Sequence, residues 1–360
     1  MSIQVENMTP ASSIEYEDLL VTDERSTIYS SLAYCNLLRT LSPDAECIQL
    51  AARDDTGNMR GGLTFFIKDG KFGPVANSLP FFGSPSSLFV PDNSIEVQDA
   101  LIGRFRELLL ARGCIASTFI TSPLDPDPQR YRQLLKPNYI DSRIGMITPL
   151  PHGSENLTID LMNTFRPTTR NKIRKGQKGN FRIEETENRA NWGFLQLTHE
   201  ENMAQLNAAT RPPEFYYYLQ RESSLIIKKR LYTVYLDNTP VAGLLLFLYN
   251  KTVEYFVPVI ARAFRSLQPL SFLIMQAMQD AVASGYRWWS WGGTGLTQES
   301  LYHFKKGWGA IDHHYYYFVN VFDAKILAKD RQEIMKEYPF FFLYPFTQSS
   351  SSVNAIANPH

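Results

Sequence analysis

Between Arg166 and Arg182 the sequence reads RPTTRNKIRKGQKGNFR, in which seven of seventeen residues are basic (Arg166, Arg170, Lys172, Arg174, Lys175, Lys178 and Arg182) and none is acidic. Cations at this density bind polyanions, phosphates above all. A helix started at Thr168 or Thr169 places Arg170, Arg174 and Lys178 at spacing four on one face, with Lys175 beside them. Ile173 is the only large apolar residue between Thr168 and Lys178, so no apolar stripe is expected to hold this helix. The acidic run at Glu184, Glu185 and Glu187 offers a plainer reading, a solvated helix neutralised from within.

Four further places carry usable chemistry. In LYHFKKGW, the ammonium of Lys305, or of Lys306 next to it, can stabilise charge developing on an oxygen or hold a phosphate. On residue types alone, two solvated lysines are the commoner arrangement. In ATRPPEFYYYL, Arg211 can fork onto a phosphate or carboxylate, and Tyr216 and Tyr217 can stack or hydrogen-bond. Pro212-Pro213 equally mark a loop before an aromatic core helix. In TVEYFVPV, Glu254 and Tyr255 alternate, so only one of them faces a given side of a strand. Glu254 there can act as a general base or stand as a solvated strand residue. The histidines His303, His313 and His314 are structural candidates before they are bases. There is no GxSxG elbow or Cys/His nucleophile signature, and no HExxH or zinc-spaced His/Cys cluster. A covalent nucleophile and a metal site are therefore not expected.

The chain that must position these groups has 360 residues, a length for which two domains is the prior. It holds 36 basic and 36 acidic residues, a balance that argues against a general nucleic-acid coat but leaves room for a local basic site. Three cysteines, Cys35, Cys47 and Cys114, none in a CxxC pair, argue against a disulfide framework. MSIQVENMTPASS has no basic and apolar leader pattern, and the longest apolar run, Val241 to Tyr249, is too short to span a bilayer. A cytoplasmic protein, at most peripheral at the inner membrane face, is expected.

Residues 231–259 read as a β-meander: LYTVYL, a turn at Asp237-Asn238, VAGLLLFLY, a turn at Asn250-Lys251, then TVEYFVPV. The continuous apolar run of the middle strand implies burial on both faces. A helix opened by Pro269 and closed by Gly285 follows, then the strand YRWWSW. The first half repeats the order, with CIQLAAR, GGLTFFI and KFGPV, the helix IEVQDALIGRFRELLLARG, and CIASTFI. Gly62 and Gly243 are 181 residues apart, and Gly113 and Gly285 are 172 apart. A duplicated unit of about 170–180 residues accounts for both offsets. Each copy starts with helical sequence, TIYSSLAYCNLLRTL and RANWGFLQLTHEENMAQL. Helix, three-strand meander, helix, strand is the order of the GNAT acetyltransferase fold.

Four stretches resemble elements of the Fem-type peptidoglycan aminoacyltransferases and their GNAT-like relatives: FRPTTRNKIRKGQKGNFRI, GLTQESLYHFKKGWGA, IYSSLAYCNLL and SLPFFGSP. The resemblance runs over about residues 25–320 and rests chiefly on RNKIRK and HFKKGWG. It implies an α/β (α+β) protein of two tandem GNAT-like domains, each a mixed, mostly antiparallel sheet flanked by helices. Domain one is expected at 1–153 with a C-terminal return at 316–346, domain two at 154–315, and a disordered tail at 347–360. The implied activity is transfer of an aminoacyl or related acyl group, by direct attack, to an amine of a cell-envelope or polysaccharide precursor. The donor would be aminoacyl-tRNA, the acceptor nucleotide- or lipid-linked, and no bound cofactor is needed.

The resemblance favours Lys305 as the catalytic cation. Arg211, Tyr216, Tyr217, Tyr255 and Phe304 become expected substrate contacts, and Arg170, Arg174, Lys175 and Lys178 an anion or tRNA site. Two alternatives stay open: an acyl-CoA-dependent N-acyltransferase acting on a sugar or amino-acid amine, and a non-catalytic protein that binds nucleic acid or an envelope precursor. The glycine-free turn IARAFRSLQPL ahead of the long helix speaks against acyl-CoA, whose pyrophosphate needs close backbone approach. The Fem-type lysine of the first helix has no counterpart at Asn36 or Leu37, which weakens the case for the usual muropeptide acceptor.

Overall fold

The computed structural model describes residues 2–81, 85, 88–153, 156–206, 208, 210–222 and 227–343; the expected tail at 347–360 lies outside them. Two compact units are present, one made of residues up to 143 together with those from 314 onward, the other of 144–313. The first contains β1 (Gln4–Asn7), α1 (Pro10–Leu20), α2 (Leu32–Leu41), β2 (Ala45–Arg53), β3 (Met59–Lys68), β4 (Val75–Asn77), α3 (Ile95–Ala111), β5 (Ala116–Ile120) and α4 (Arg130–Leu135). Strand β6 (Tyr139–Pro149) leads into the second, which continues with α5 (Leu157–Thr164), α6 (Pro167–Gln177), β7 (Phe181–Glu185), α7 (Arg189–Gln205) and α8 (Pro213–Arg221). There follow β8 (Lys229–Leu236), β9 (Thr239–Tyr249), β10 (Thr252–Ile260), α9 (Pro269–Ala283), β11 (Trp288–Gly295) and α10 (Glu299–Gly307). Strand β12 (Ile311–Val321) brings the chain back to the first unit, where α11 (Arg331–Glu337) follows. Among the described residues no helix is long and apolar enough to cross a membrane.

Strand order is β1-β2-β3-β4-β5-β12 in the first unit and β6-β11-β10-β9-β8-β7 in the second. The meanders β2-β3-β4 and β8-β9-β10 are antiparallel, and each unit adds one parallel pair, β4–β5 or β10–β11. Both units are thus the mixed, mostly antiparallel sheets expected. Asp237 and Asn250 take positive φ at the hairpin turns, a conformation that short Asx side chains tolerate and tight hairpins need. Along β9, Leu244 to Leu248 are all essentially inaccessible, with α9 on one side and α7 on the other, so the apolar run is buried on both faces.

Helix α6 departs from expectation in two ways. It starts at Pro167, with Arg166 as an N-cap that makes no side-chain bond, because proline's fixed φ suits a first turn. It is also held by a stripe, though a narrow one: Thr169, Ile173 and Gly176 are buried, and the helix packs against α9. Gly176 makes that approach possible, since a Cβ there would lie 2.7 Å from the Gln268 carbonyl oxygen and 2.8 Å from Phe272 Cβ. Small residues substitute for an apolar face by letting the backbones close. Gly176→Ala should therefore destabilise the protein by about 1–3 kcal/mol. Gly193→Ala, inside α7 with open space around its Cβ position, should stabilise it by about 0.5–1 kcal/mol. Urea unfolding of the two variants checks both signs.

Candidate active site

The parallel pair of the second unit is short. Thr252, Val253 and Glu254 of β10 are matched to Trp288, Trp289 and Ser290 of β11, and there the ladder stops. Beyond it β10 bulges against β9 between Tyr255 and Val257, which turns the strand away from β11. The two strands run on without pairing to each other, Tyr255–Ile260 and Trp291–Gly295, and so part as a wedge in the sheet toward their carboxyl ends. The matching place in the first unit is the last rung of β4–β5, Asn77 against Thr118. There the protein's own residues lie across it. Phe342 N–H donates to Asn77 Oδ1 at 2.6 Å, and Asn77 Nδ2 donates back to the Phe342 carbonyl at 3.0 Å. Thr118 also donates to that carbonyl, and Phe340 stacks on Phe81 at 4.2 Å. The second unit is therefore the one whose wedge merits chemical attention.

Lys305 sits at that wedge. It is 3% exposed, not a solvated helix lysine. Its Nζ donates to the Gly293 carbonyl and Thr294 Oγ1, both at 2.9 Å, and to the Gly292 carbonyl at 3.3 Å. These partners use all three ammonium protons. Burial lowers the Lys305 pKa to about 7, opposed by the charge of nearby Glu254. Gly292 takes φ +67°, a left-handed turn that presents consecutive carbonyls to one cation. Phe304 packs edge-on to Trp291, which also neighbours Trp308, Tyr255 and Trp289. Of the alternating pair on β10, Glu254 is the buried one that acts on Lys305. Tyr255 is half-buried against Trp291, its phenol raised by burial. Lys306, by contrast, pairs with Asp312 at 3.3 Å, and His303 is exposed beside Tyr302.

A second cluster gathers Arg211 and Tyr216 around a histidine that spacing does not reveal. His199 on α7 is buried; its Nδ1 lies 2.8 Å from the Tyr216 hydroxyl and its Nε2 3.1 Å from Arg211 Nη1. Arginine only donates, so Nε2 accepts, Nδ1 carries the proton, and the ring is neutral. Burial, then the Arg211 charge, hold its pKa down at about 4. Arg211 also reaches the Phe256 carbonyl at 3.4 Å and lies over the Phe256 ring at 4.8 Å. This ties the loop ahead of α8 to β10 next to Tyr255. Tyr217 is not in this cluster: it is 60% exposed and bonds Arg221 at 2.7 Å.

On α6, Arg174, Lys175 and Lys178 are exposed and Arg170 half-buried. Arg170 and Arg174 line an open groove of about 520 Å³ whose other wall is Ile159 and Met162 of α5. The acidic run does not neutralise the helix. Glu184 pairs with Arg182, Glu185 with Arg230 and Glu187 with Lys229, so its charges are spent on β7 and β8.

Residues 163–306 match the family model of the acetyltransferase (GNAT) domain. Most of the second unit is thus similar to a GNAT domain. Over the whole chain the fold is similar to those of FemX and of a tandem GNAT protein. The structure of FemX matches with a TM-score of 0.70 and 14% identity, over 90% of this chain and 99% of that one. A tandem GNAT protein from the clavulanic acid biosynthesis pathway matches with a TM-score of 0.55 and 12% identity, over 89% and 98%. The C-terminal domain of a putative lysylphosphatidylglycerol synthetase from Agrobacterium fabrum matches with 0.54 and 14%, over 91% and 97%. At these identities the likeness is one of fold. No curated protein sequence matches the chain significantly.

The histidine cluster predicts an acid limb in stability. A pKa lowered from 6.5 to about 4 means that the unfolded chain binds the extra proton first. His199 thus contributes stability in full above about pH 6.5, and that contribution is lost as pH falls toward 4, up to about 3 kcal/mol. His199→Gln should flatten this limb in urea titrations between pH 4 and 7, and nitrogen NMR should show the Nδ1–H tautomer in the native protein.

Proposed function

We propose that the protein is a Fem-like aminoacyltransferase, moving an aminoacyl or related acyl group from its ester on tRNA to an amine of a cell-envelope or polysaccharide precursor. The observation that carries this reading is buried Lys305, bonded to the Gly292–Thr294 turn where β10 and β11 part, with buried Glu254 near it. FemX and a lysylphosphatidylglycerol synthetase domain share the fold, and their names point to the same kind of transfer. In the step itself the neutral acceptor nitrogen attacks the ester carbonyl carbon. The carbon–oxygen bond to the ribose then breaks, and the proton lost from nitrogen passes to the departing hydroxyl. No covalent enzyme intermediate is needed. What the site must supply is position and a positive potential for the oxyanion. Lys305 supplies the potential and fixes the Gly292–Thr294 backbone beside it. Arg211, held by neutral His199, steadies β10 at the bulge, and Tyr255 and Phe304 shape the apolar side.

The basic face of α6 provides the phosphate contacts for the donor. Arg174, Lys175 and Lys178 are exposed for this purpose. Acyl-CoA fits less well. Ahead of α9 the chain makes a short 3-10 turn, Arg262–Leu267, and Gln268 takes the left-handed position. Gly176 of α6 packs on that same turn, where a pyrophosphate would require open backbone N–H groups. The acceptor is a nucleotide- or lipid-linked precursor, met in the cytoplasm or at the inner membrane face.

Incubation with charged tRNAs or with a panel of acyl-CoAs, followed by mass spectrometry of candidate amines, tests the reading. RNase-sensitive transfer is expected, whereas RNA-independent thiol release would overturn it. Lys305→Met should lower kcat about 100- to 1,000-fold with little change in KM, and should remove any fall in rate above pH of about 7. Arg174→Gln and Lys178→Gln should weaken tRNA binding alike for all sequences, each reducing the salt dependence by the equivalent of about one phosphate contact.

A further inference from the structure

The three cysteines are too few and too scattered for a disulfide framework, yet two of them meet. Cys35 is on α2 and Cys47 on β2, and their sulfurs are 3.0 Å apart. The contact is built into the packing of the helix on the strand. Tyr34, Cys35, Leu37 and Leu38 form the buried face of α2, so Cys35 points at the sheet. Cys47 and Gln49 share one face of β2 by alternation. One helical turn after Cys35, Arg39 donates to Gln49 Oε1 at 3.0 Å, a second bridge parallel to the first.

The geometry points to a dithiol redox site. We infer that Cys35 and Cys47 form a reversible disulfide when the protein meets a hydroperoxide. The two thiols are not equivalent. Cys47 is half-buried, whereas Cys35 is only 2% exposed. The hydrogen bond from Cys35, aided by the Arg39 guanidinium, holds the Cys47 thiol below the usual range; the same bond and burial push Cys35 up. Cys47 is thus the thiolate that attacks and Cys35 the thiol that resolves.

In the first step Cys47 thiolate attacks the terminal peroxide oxygen. The O–O bond breaks, the alcohol or water leaves with a proton, and Cys47 becomes the sulfenic acid. In the second, Cys35 sulfur attacks Cys47 sulfur and expels water. Overall two thiols and one hydroperoxide give one disulfide, one water and one alcohol (a second water for hydrogen peroxide). To bond, the sulfurs must close from 3.0 Å to about 2.05 Å. The product would tether α2 to β2 across a short loop, which restricts the unfolded chain more than the folded one.

The test is titration of the full-length reduced protein with hydrogen peroxide, followed by non-reducing peptide mapping. The expected result is a single Cys35–Cys47 cross-link, a mass lower by two hydrogens, reversal by dithiothreitol and a raised Tm. Cys114, buried with its thiol pushed up to about 11 by burial, should stay reduced as an internal control. Cys35→Ala should leave a Cys47 sulfenic acid that dimedone traps. Arg39→Gln should slow the reaction several-fold and leave its product unchanged. Reaction at Cys114 in preference, over-oxidation of Cys47 with Cys35 untouched in the unmutated protein, or no loss of thiol at all would overturn the inference.

Discussion

A buried ammonium has three protons to satisfy, and the second unit is organised around meeting that demand at Lys305. The Gly292 and Gly293 carbonyls and the Thr294 hydroxyl accept them. A strand in a regular ladder could not offer consecutive carbonyls in this way. The sheet supplies them because β11 leaves its parallel partner after three rungs and turns through the positive φ of Gly292. The parting of β10 and β11 thus creates both the wedge and the polar groups that hold a cation beneath it. Removing the cation would leave buried acceptors without a partner, at a cost well above that of losing a surface lysine.

The surrounding apolar mass explains why this charge is tuned rather than merely tolerated. Lys305 is buried next to the aromatic cluster of Trp291, Phe304 and Trp308 in sequence and strand, and burial brings its pKa down to about 7. Glu254 opposes the shift and keeps the proton within reach at neutral pH. Arg211 with His199 and Tyr216 follows the same logic with the opposite result. There the permanent cation forces the histidine to be the acceptor, and burial keeps it neutral. One cluster holds a labile proton and the other holds a fixed one.

Charge on α6 is handled differently. Its inner edge is Thr169, Ile173 and Gly176, a stripe so narrow that every arginine and lysine of the helix except half-buried Arg170 is left at the surface. The acids that follow in sequence look like its counterions, yet a strand sends alternate side chains to opposite faces, and Glu184 and Glu185 of β7, with Glu187 just after it, meet Arg182, Arg230 and Lys229 instead. Adjacency in sequence misled here because ion pairing is settled by register. Likewise, nothing in the spacing of His199, Arg211 and Tyr216 marks them as neighbours; the packing of α8 and the residues just ahead of it against α7 brings them together.

The sequence by itself determined the elements and their order. Turn residues at Asp237 and Asn250, the apolar run of β9, the proline and glycine that bracket α9, and the repeated arrangement of both halves are local signals, decided within a few residues by sterics and hydrogen bonding. It also placed Lys305, Arg211 and the basic helix among the residues worth testing. Only the tertiary structure decided their states: that Lys305 is buried and fully bonded, that His199 is neutral, that Tyr217 faces solvent, and that Cys35 meets Cys47. These are properties of burial and of contacts between elements far apart in the chain, and the free energy of a charge or a thiol depends on that surrounding medium far more than on its neighbours in sequence.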